Sequence, residues 1–177
     1  GGITILNSIK KTLPKESIIY YSDNYNSPYG NKSKKEIEKL SIKNTKFLIE
    51  KGCKIIVVAC NTATTNSISK LRTNFDLPFI GVEPAIKPAA MQTKSGLIGV
   101  LATKGTLSSG LFEKTANNYA SDVKVIEKNA TGLVELIEKG IFSGEKIENI
   151  LKKNLNPMIQ NKIDHLVLGC THYPILI

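Results

Sequence analysis

Two stretches of the chain share one pattern of residues. Residues 55–62 have the sequence IIVVACNT, and residues 165–172 have the sequence HLVLGCTH. Each is an apolar run followed by a small residue, a cysteine and small polar residues, which predicts a buried strand ending next to Cys60 or Cys170. In open parallel sheets, ligands bind outside the carboxyl ends of the strands. We therefore expect the two thiols, one in each half of the chain, to face one cleft.

Outward from these stretches, short apolar runs alternate with longer amphipathic segments. The predicted strands cover residues 18–21, 55–59, 79–82, 97–101, 123–126 and 166–168. The predicted helices cover residues 3–12, 33–51, 64–74, 85–93, 107–120, 133–139 and 145–154. This alternation is typical of an α/β fold, in which helices cover both faces of a mostly parallel sheet.

A turn-forming stretch divides the chain into two parts of similar size. It is Lys94-Ser95-Gly96, which precedes a new predicted strand. Each part contains one of the two cysteine stretches. The sequence therefore predicts two pseudo-symmetric α/β sandwich domains, residues 1–93 and 94–177, with mostly parallel sheets and the active site in the cleft between them.

The composition excludes several classes of protein. Of the 177 residues, 41% are hydrophobic and 22% are charged, and no apolar run approaches the roughly 18 residues of a membrane span. No export signal is recognisable, so we expect a cytoplasmic protein. The net charge of +9 comes almost entirely from lysine, with Arg72 as the one arginine, which favours a solvated surface over nucleic-acid recognition. Three cysteines without CxxC spacing predict reduced thiols.

A pair of opposed thiols has a specific chemical use. Inversion of an amino-acid α-carbon without an electron-sink cofactor requires a base on one face and an acid on the other. A thiolate and a thiol supply that pair if the site helps to form the thiolate. The groups that could help are Asp23, Glu138 and His172, which lies two residues after Cys170. The alternative for any cysteine is a small buried hydrophobe, which is our interpretation of Cys53.

Several blocks of the sequence match one enzyme family. The blocks are Gly1-Gly2, Tyr21-Ser22-Asp23, Pro28-Tyr29-Gly30, residues 59–64 (ACNTAT), residues 81–84 (GVEP), residues 99–103 (GVLAT) and residues 168–174 (LGCTHYP). In them the chain resembles the glutamate racemases of the aspartate/glutamate racemase superfamily, over nearly its whole length and in the same order. The two cysteine blocks are specific, whereas the blocks of glycine and valine alone are weak.

The resemblance implies both a reaction and the residues that perform it. It implies a racemase without cofactor or metal that interconverts L- and D-glutamate and supplies D-glutamate for the peptidoglycan of the cell wall. Cys60 and Cys170 match the two catalytic cysteines, and Asp23, Glu138 and His172 match assisting acid/base groups, with Glu135 as a rival to Glu138. The implied partner is the small-molecule substrate, and a homodimer is left open. The implied substrate-binding residues are Pro28, Tyr29, Gly30, Asn61, Thr62, Thr103 and Thr171.

The sequence also departs from the family pattern. The family has Asp-Ser-Gly ahead of the position of Gly1-Gly2, and it continues beyond the apolar residues 174–177 to complete its first domain. We therefore expect a fragment truncated at both ends, with an incomplete first domain, very low activity and low solubility. Two alternatives stay open: a racemase of aspartate or of a related amino acid, and a catalytically inactive binding protein.

Overall fold

Five parallel strands form two separate sheets in the computed structural model, which describes residues 1–177. In one sheet β1 pairs with β2, and in the other β3 lies between β4 and β5. All three pairings are parallel, which confirms the predicted α/β class. The strands are β1 (Ile56–Val58), β2 (Phe79–Gly81), β3 (Leu97–Ala102), β4 (Lys124–Asn129) and β5 (His165–Gly169).

Eight α-helices connect and cover these strands. None of them combines the length and hydrophobicity that crossing a membrane requires. Two 3₁₀ helices, Asn24–Asn26 and Tyr173–Leu176, complete the structure. The α-helices are α1 (Gly2–Thr12), α2 (Lys34–Glu50), α3 (Asn61–Asn74), α4 (Ile86–Gln92), α5 (Lys104–Leu107), α6 (Gly110–Tyr119), α7 (Leu133–Glu138) and α8 (Glu145–Gln160).

The central strand β3 is buried on both faces. Successive residues of a strand point to opposite faces of its sheet. Val100 accordingly belongs to one core cluster with Phe112 of α6, and Leu101 belongs to another with Leu133 of α7. Helices therefore cover both faces of this sheet, as the continuous apolar sequence of β3 predicts.

The first sheet has a smaller core and open edges. Ile56, Ile68, Leu71 and Phe79 form its buried cluster, in which α3 packs on β1 and β2. Neither β1 nor β2 has another strand as a neighbour. No residue of α1 is buried.

The junction between the two cysteine-containing parts is held by one carboxylate. Asp164, just before β5, accepts hydrogen bonds from Thr93 Oγ1 at 2.6 Å, from the Lys94 amide at 2.6 Å and from the Ser95 amide at 2.9 Å. Helix α4, which precedes this junction, packs against α6, β3 and β5 of the second sheet. The division into domains after residue 93 stays a prediction.

The predicted strand at residues 18–21 is wrong. These residues join no sheet, and all four are at least 36% exposed. Their apolar sequence has a high β propensity, but a strand forms only where another strand accepts its backbone hydrogen bonds. Here β1 and β2 pair only with each other.

Three helices differ from the prediction by more than one residue at one end. The helix predicted over residues 107–120 is α6, which begins only at Gly110 because Ser109 caps it by accepting a hydrogen bond from the Phe112 amide at 3.3 Å, and the short α5 before it was not predicted. Helix α8 continues beyond Asn154 to Gln160, since Asn154 is buried and bonds the Ile150 carbonyl at 2.8 Å. Helix α3 begins at Asn61, directly after the first catalytic candidate.

Candidate active site

Cys60 lies where a strand gives way to a helix. It follows β1 after one intervening residue and is the N-cap of α3, where its Sγ accepts a hydrogen bond from the Ala63 amide at 3.5 Å. Amides at a helix N-terminus favour a thiolate. Burial has the larger effect and raises the pKa of the Cys60 thiol, while the amides of Ala63 and Thr62 partly offset it. The thiol is therefore protonated at neutral pH until another group takes its proton.

Cys170 occupies the matching position at the end of β5. It is 8% exposed, and burial raises its pKa to about 12. Its Sγ lies 3.5 Å from His172 Nδ1, and His172 Nε2 is hydrogen-bonded to Glu138 Oε1. An ionised carboxylate only accepts hydrogen bonds, so Nε2 carries the proton of a neutral imidazole and Nδ1 is free to accept one from Cys170. Burial lowers the pKa of His172 below its ordinary 6.5, and the bond to Glu138 only partly counteracts this.

The two cysteine stretches meet in space. Thr171 Oγ1, next to Cys170, donates a hydrogen bond to the carbonyl of Ala59, next to Cys60, at 3.3 Å. Burial is the main cause of the raised pKa of Cys170, and the charge of Cys60 is a smaller one. The carboxyl ends of β1 and β5 therefore lie close together, and the single cleft with a thiol on each side stays a prediction.

Three threonine hydroxyls form a buried cluster beside Cys60. Thr62 Oγ1 lies 2.8 Å from Thr103 Oγ1 and 3.1 Å from Thr106 Oγ1, and the last two are 3.2 Å apart. Gly30 joins them, since its carbonyl accepts a hydrogen bond from the Gly105 amide at 2.8 Å. Four of the substrate-binding candidates therefore lie at one place: Pro28 and Gly30 share a small cavity with Thr103, and Thr62 contacts Thr103 directly.

Asp23 lies in a separate group of polar side chains. Its carboxylate accepts hydrogen bonds from Tyr29 Oη at 2.6 Å, Asn26 Nδ2 at 2.7 Å and Asn44 Nδ2 at 3.4 Å. None of its hydrogen bonds goes to Cys60. Burial alone would raise its pKa, but these hydrogen bonds together lower it. Asp23 therefore contacts the substrate-binding candidate Tyr29 rather than a sulfur atom.

The remaining candidates are placed individually. Asn61, the first residue of α3, is 3% exposed. Of the two rival glutamates, Glu138 contacts His172, whereas Glu135 Oε1 accepts a hydrogen bond from Asn31 at 3.5 Å. No group of three or more histidine, cysteine, aspartate or glutamate side chains is arranged to hold a metal ion.

Comparison with known families agrees with this geometry. The model of the Asp/Glu/Hydantoin racemase family matches residues 3–177. The chain belongs to this family.

The racemase relatives are similar along nearly the whole chain. Glutamate racemase of Herpetosiphon aurantiacus is 46% identical over 176 residues, which cover 99% of this chain and 69% of that protein. One similar structure is Escherichia coli glutamate racemase in complex with L-glutamate and the activator UDP-MurNAc-Ala, with 36% identity, 98% of this chain covered and a TM-score of 0.87. Another is glutamate racemase of Francisella tularensis in complex with D-glutamate, with 31% identity, 99% of this chain covered and a TM-score of 0.84. The chain spans 66% of the length of each of these two structures.

Two polar residues at this candidate site were not predicted from the sequence. Thr106 completes the threonine cluster, and Asn44 of α2 joins Asp23 and Tyr29. Thr106 follows the N-cap Thr103 by three residues, a spacing that brings side chains together at a helix start and could have indicated it. Asn44 has no such signal, because it approaches Tyr29 only through the packing of α2.

The close contact between Gly105 and Gly30 gives a testable expectation for this racemase-family fold. A Cβ at residue 105 would lie 2.9 Å from the Gly30 carbonyl oxygen and 2.9 Å from Thr62 Cγ2. We expect Gly105→Ala to reduce the free energy of unfolding by about 1–3 kcal/mol, measured by urea denaturation, because backbone has to move.

Gly110→Ala is the matched control for that substitution. Gly110 also lies in a helix, and its added Cβ would meet nothing within 4 Å. We expect it to stabilise the protein by about 0.5–1 kcal/mol, because alanine loses less backbone entropy than glycine. Equal effects of the two substitutions would show that the contact between residues 105 and 30 is unimportant.

Proposed function

We propose that the protein is a glutamate racemase that uses Cys60 and Cys170 as its two acid/base groups. The observation that carries this proposal is the meeting of the two cysteine stretches, joined by the Thr171–Ala59 hydrogen bond at the carboxyl ends of parallel strands. Family membership and the similarity to glutamate racemases support it. In this proposal the two parts of the chain, residues 1–93 and 94–177, form two domains with the substrate between them.

The reaction needs one thiolate and one thiol. The thiolate removes the α-proton from one face of glutamate, which leaves the electron pair of the C–H bond on the α-carbon. The thiol then donates its proton to the opposite face, and this forms the enantiomer. Cys60 and Cys170 exchange protonation states in each turnover, so each is the base in one direction and the acid in the other.

His172 and Glu138 provide a route for forming the Cys170 thiolate. Because burial raises the pKa of Cys170 to about 12, its thiolate is rare at neutral pH without a proton acceptor nearby. Neutral His172 can accept this proton at Nδ1, and Glu138 stabilises the resulting imidazolium through Nε2. At Cys60, the amides at the N-terminus of α3 and the ammonium group of the substrate favour the thiolate. Asp23 assists through Tyr29, its direct partner.

The substrate-binding candidates supply hydrogen bonds for two carboxylates and an ammonium group. The amide of Asn61 and the hydroxyls of Thr62 and Thr103 lie on the Cys60 side, and the hydroxyl of Thr171 lies on the Cys170 side. Bonds from such donors to a carboxylate are charge-assisted and therefore strong. Pro28 and Gly30 line a small cavity together with Thr103. In the cell, the product D-glutamate would enter peptidoglycan synthesis.

Circular dichroism of glutamate tests the proposal. We expect the optical signal of pure L- or D-glutamate to fall slowly towards zero during long incubation with the protein, in keeping with the very low activity that the sequence predicts. Aspartate in the same assay distinguishes the related racemase, and deuterium exchange at the α-carbon in D₂O detects slow turnover by mass spectrometry. Binding of glutamate without exchange would overturn the proposal and favour an inactive binding protein.

A further inference from the structure

Gly1 packs against the second cysteine stretch. A Cβ at residue 1 would lie 2.6 Å from Thr171 Oγ1, 2.9 Å from His172 Nδ1 and 3.0 Å from His172 Cε1. Thr171 Oγ1 is the hydroxyl that bonds the Ala59 carbonyl, and His172 Nδ1 is the nitrogen that lies 3.5 Å from Cys170 Sγ. The start of α1 therefore lies against the link between the two cysteine stretches and against the proposed proton acceptor of Cys170.

The first turn of α1 is constrained on its own side of this contact. The Gly1 carbonyl accepts hydrogen bonds from the Thr4 amide at 3.3 Å and from Thr4 Oγ1 at 2.8 Å. The next residue, Gly2, packs against the ring of Tyr20, since a Cβ at residue 2 would lie 2.9 Å from Tyr20 Oη and 3.1 Å from Tyr20 Cε2. Thr4 therefore fixes the direction of the Gly1 carbonyl, and Tyr20 limits the position of the adjacent residue.

The side chains that Gly1 contacts also have little freedom to move. Thr171 is 8% exposed, and its branched Cβ restricts rotation about χ1. The ring of His172 is hydrogen-bonded to Glu138 at Nε2. Real Cβ atoms essentially never come closer than 3.0 Å to another heavy atom, so a side chain at residue 1 would have to displace its neighbours.

We propose that Gly1 is a positioning residue: the absence of a side chain there lets the His172 imidazole pack on the start of α1 with Nδ1 within hydrogen-bond reach of the Cys170 thiol. This inference rests on the proposed racemase function, in which that nitrogen takes the Cys170 proton. The structural alternative is that α1, which has no buried residue, moves aside for a side chain and leaves His172 in place. The two differ in whether the contact between Cys170 and His172 survives substitution of Gly1.

The first test is ¹⁵N NMR of the His172 ring at a pH where the imidazole is neutral. The chemical shift of an unprotonated ring nitrogen changes when it accepts a hydrogen bond, so this measurement needs no activity. Cys170→Ala removes the donor and gives the reference for Nδ1 without this bond. We expect Gly1→Ala to move the Nδ1 resonance towards that reference. Gly2→Ala is the matched control and should leave it unchanged, because its Cβ meets Tyr20, which is 41% exposed and can turn away.

Gly1→Ser separates this contact from an effect on the helix end. Gly1 is the N-cap of α1, and alanine is a poorer N-cap than glycine, whereas serine is a better one. Serine carries the same Cβ as alanine, so we expect Gly1→Ser to move the Nδ1 resonance as Gly1→Ala does. Return of the resonance to its wild-type position in Gly1→Ser would overturn the inference, because the cause would then be loss of the cap.

The second test is deuterium exchange at the α-carbon of glutamate. We expect Gly1→Ala to lower the exchange into L-glutamate, the enantiomer assigned to Cys170 by resemblance, about 10-fold, because displacement of a catalytic group is costly. Exchange into D-glutamate should fall less, and Gly2→Ala should change neither rate. Because α1 has no buried residue, both variants should unfold near the urea concentration of the wild-type protein.

The outcomes separate this inference from the proposed function. An unchanged Nδ1 resonance in Gly1→Ala, or unchanged exchange at a shifted resonance, overturns the positioning role while the wild-type protein still exchanges deuterium. Absence of exchange into either enantiomer in the wild-type protein overturns the proposed function, and the positioning role with it.

Discussion

Replacement of Cys60 by serine should reduce the exchange of solvent deuterium into D-glutamate by about 10²- to 10⁴-fold, the usual contribution of a general acid/base group. By resemblance to the glutamate racemases, Cys60 takes the α-proton of D-glutamate. A serine hydroxyl is far less acidic than a thiol, so it cannot supply the base. Exchange into L-glutamate, which begins at Cys170, should fall less, and Cys170→Ser should show the reverse pattern.

Cys53→Ser is the matched control for both variants. Cys53 is the third free cysteine, and it packs against the core of the first sheet, before β1, whereas Cys60 follows β1. We expect both exchange rates to stay close to those of the unchanged protein. Equal loss of both exchanges in Cys60→Ser would contradict separate roles for the two thiols. Mass spectrometry of glutamate recovered from D₂O at early times measures each rate.

Replacement of His172 by asparagine should lower the exchange into L-glutamate about 10²-fold, with less effect on D-glutamate. The variant removes the nitrogen that lies 3.5 Å from Cys170 Sγ, so the thiol loses its nearest proton acceptor. Glu138→Gln keeps His172 but removes the charge that stabilises its imidazolium, and the loss should be smaller. His165→Asn is the control, because His165 pairs with Asp164 at the far end of β5.

The pH dependence of this exchange has a definite sign. The pKa of His172 in the folded protein lies below its ordinary 6.5, so the imidazole stays neutral through that pH. Exchange into L-glutamate should therefore persist below pH 6.5 and fall only when His172 becomes protonated. Because the unfolded chain binds this proton at higher pH, the same group makes folding less favourable as the pH falls through 6.5 and below. Exchange into L-glutamate that is already lost well above pH 6.5 would contradict the role of neutral His172 as the acceptor of the Cys170 proton.

The parts of the fold that periodicity specifies could be predicted from the sequence. The strands that end near Cys60 and Cys170 are short apolar runs bounded by small residues, and both lie in parallel sheets as expected. The segment 18–21 has the same local character but no partner strand, and no property of its own sequence reveals this. Strand formation depends on pairing with distant residues, whereas a helix satisfies most of its hydrogen bonds internally.

Part of the candidate site could also be predicted from the sequence. The two thiols follow from the repeated pattern, and the closeness of His172 to Cys170 follows from their separation by two residues. The choice of Glu138 over Glu135 required the structure, because it depends on where α7 packs relative to β5. Asn44 also required it, since a polar residue at an intermediate position of a surface helix is compatible with simple solvation.

The two-stranded sheet has a consequence for how the molecule behaves at high concentration. Each strand of it is three residues long, and each keeps one edge whose backbone groups pair with no other strand. Ile55 and Ile80, at this sheet, are 46% and 52% exposed. Free edges flanked by isoleucine are templates on which a strand from another molecule can add, and two strands alone are barely stable in water. The surface around β1 and β2 is therefore where intermolecular β-pairing would begin, and β1 ends two residues before Cys60.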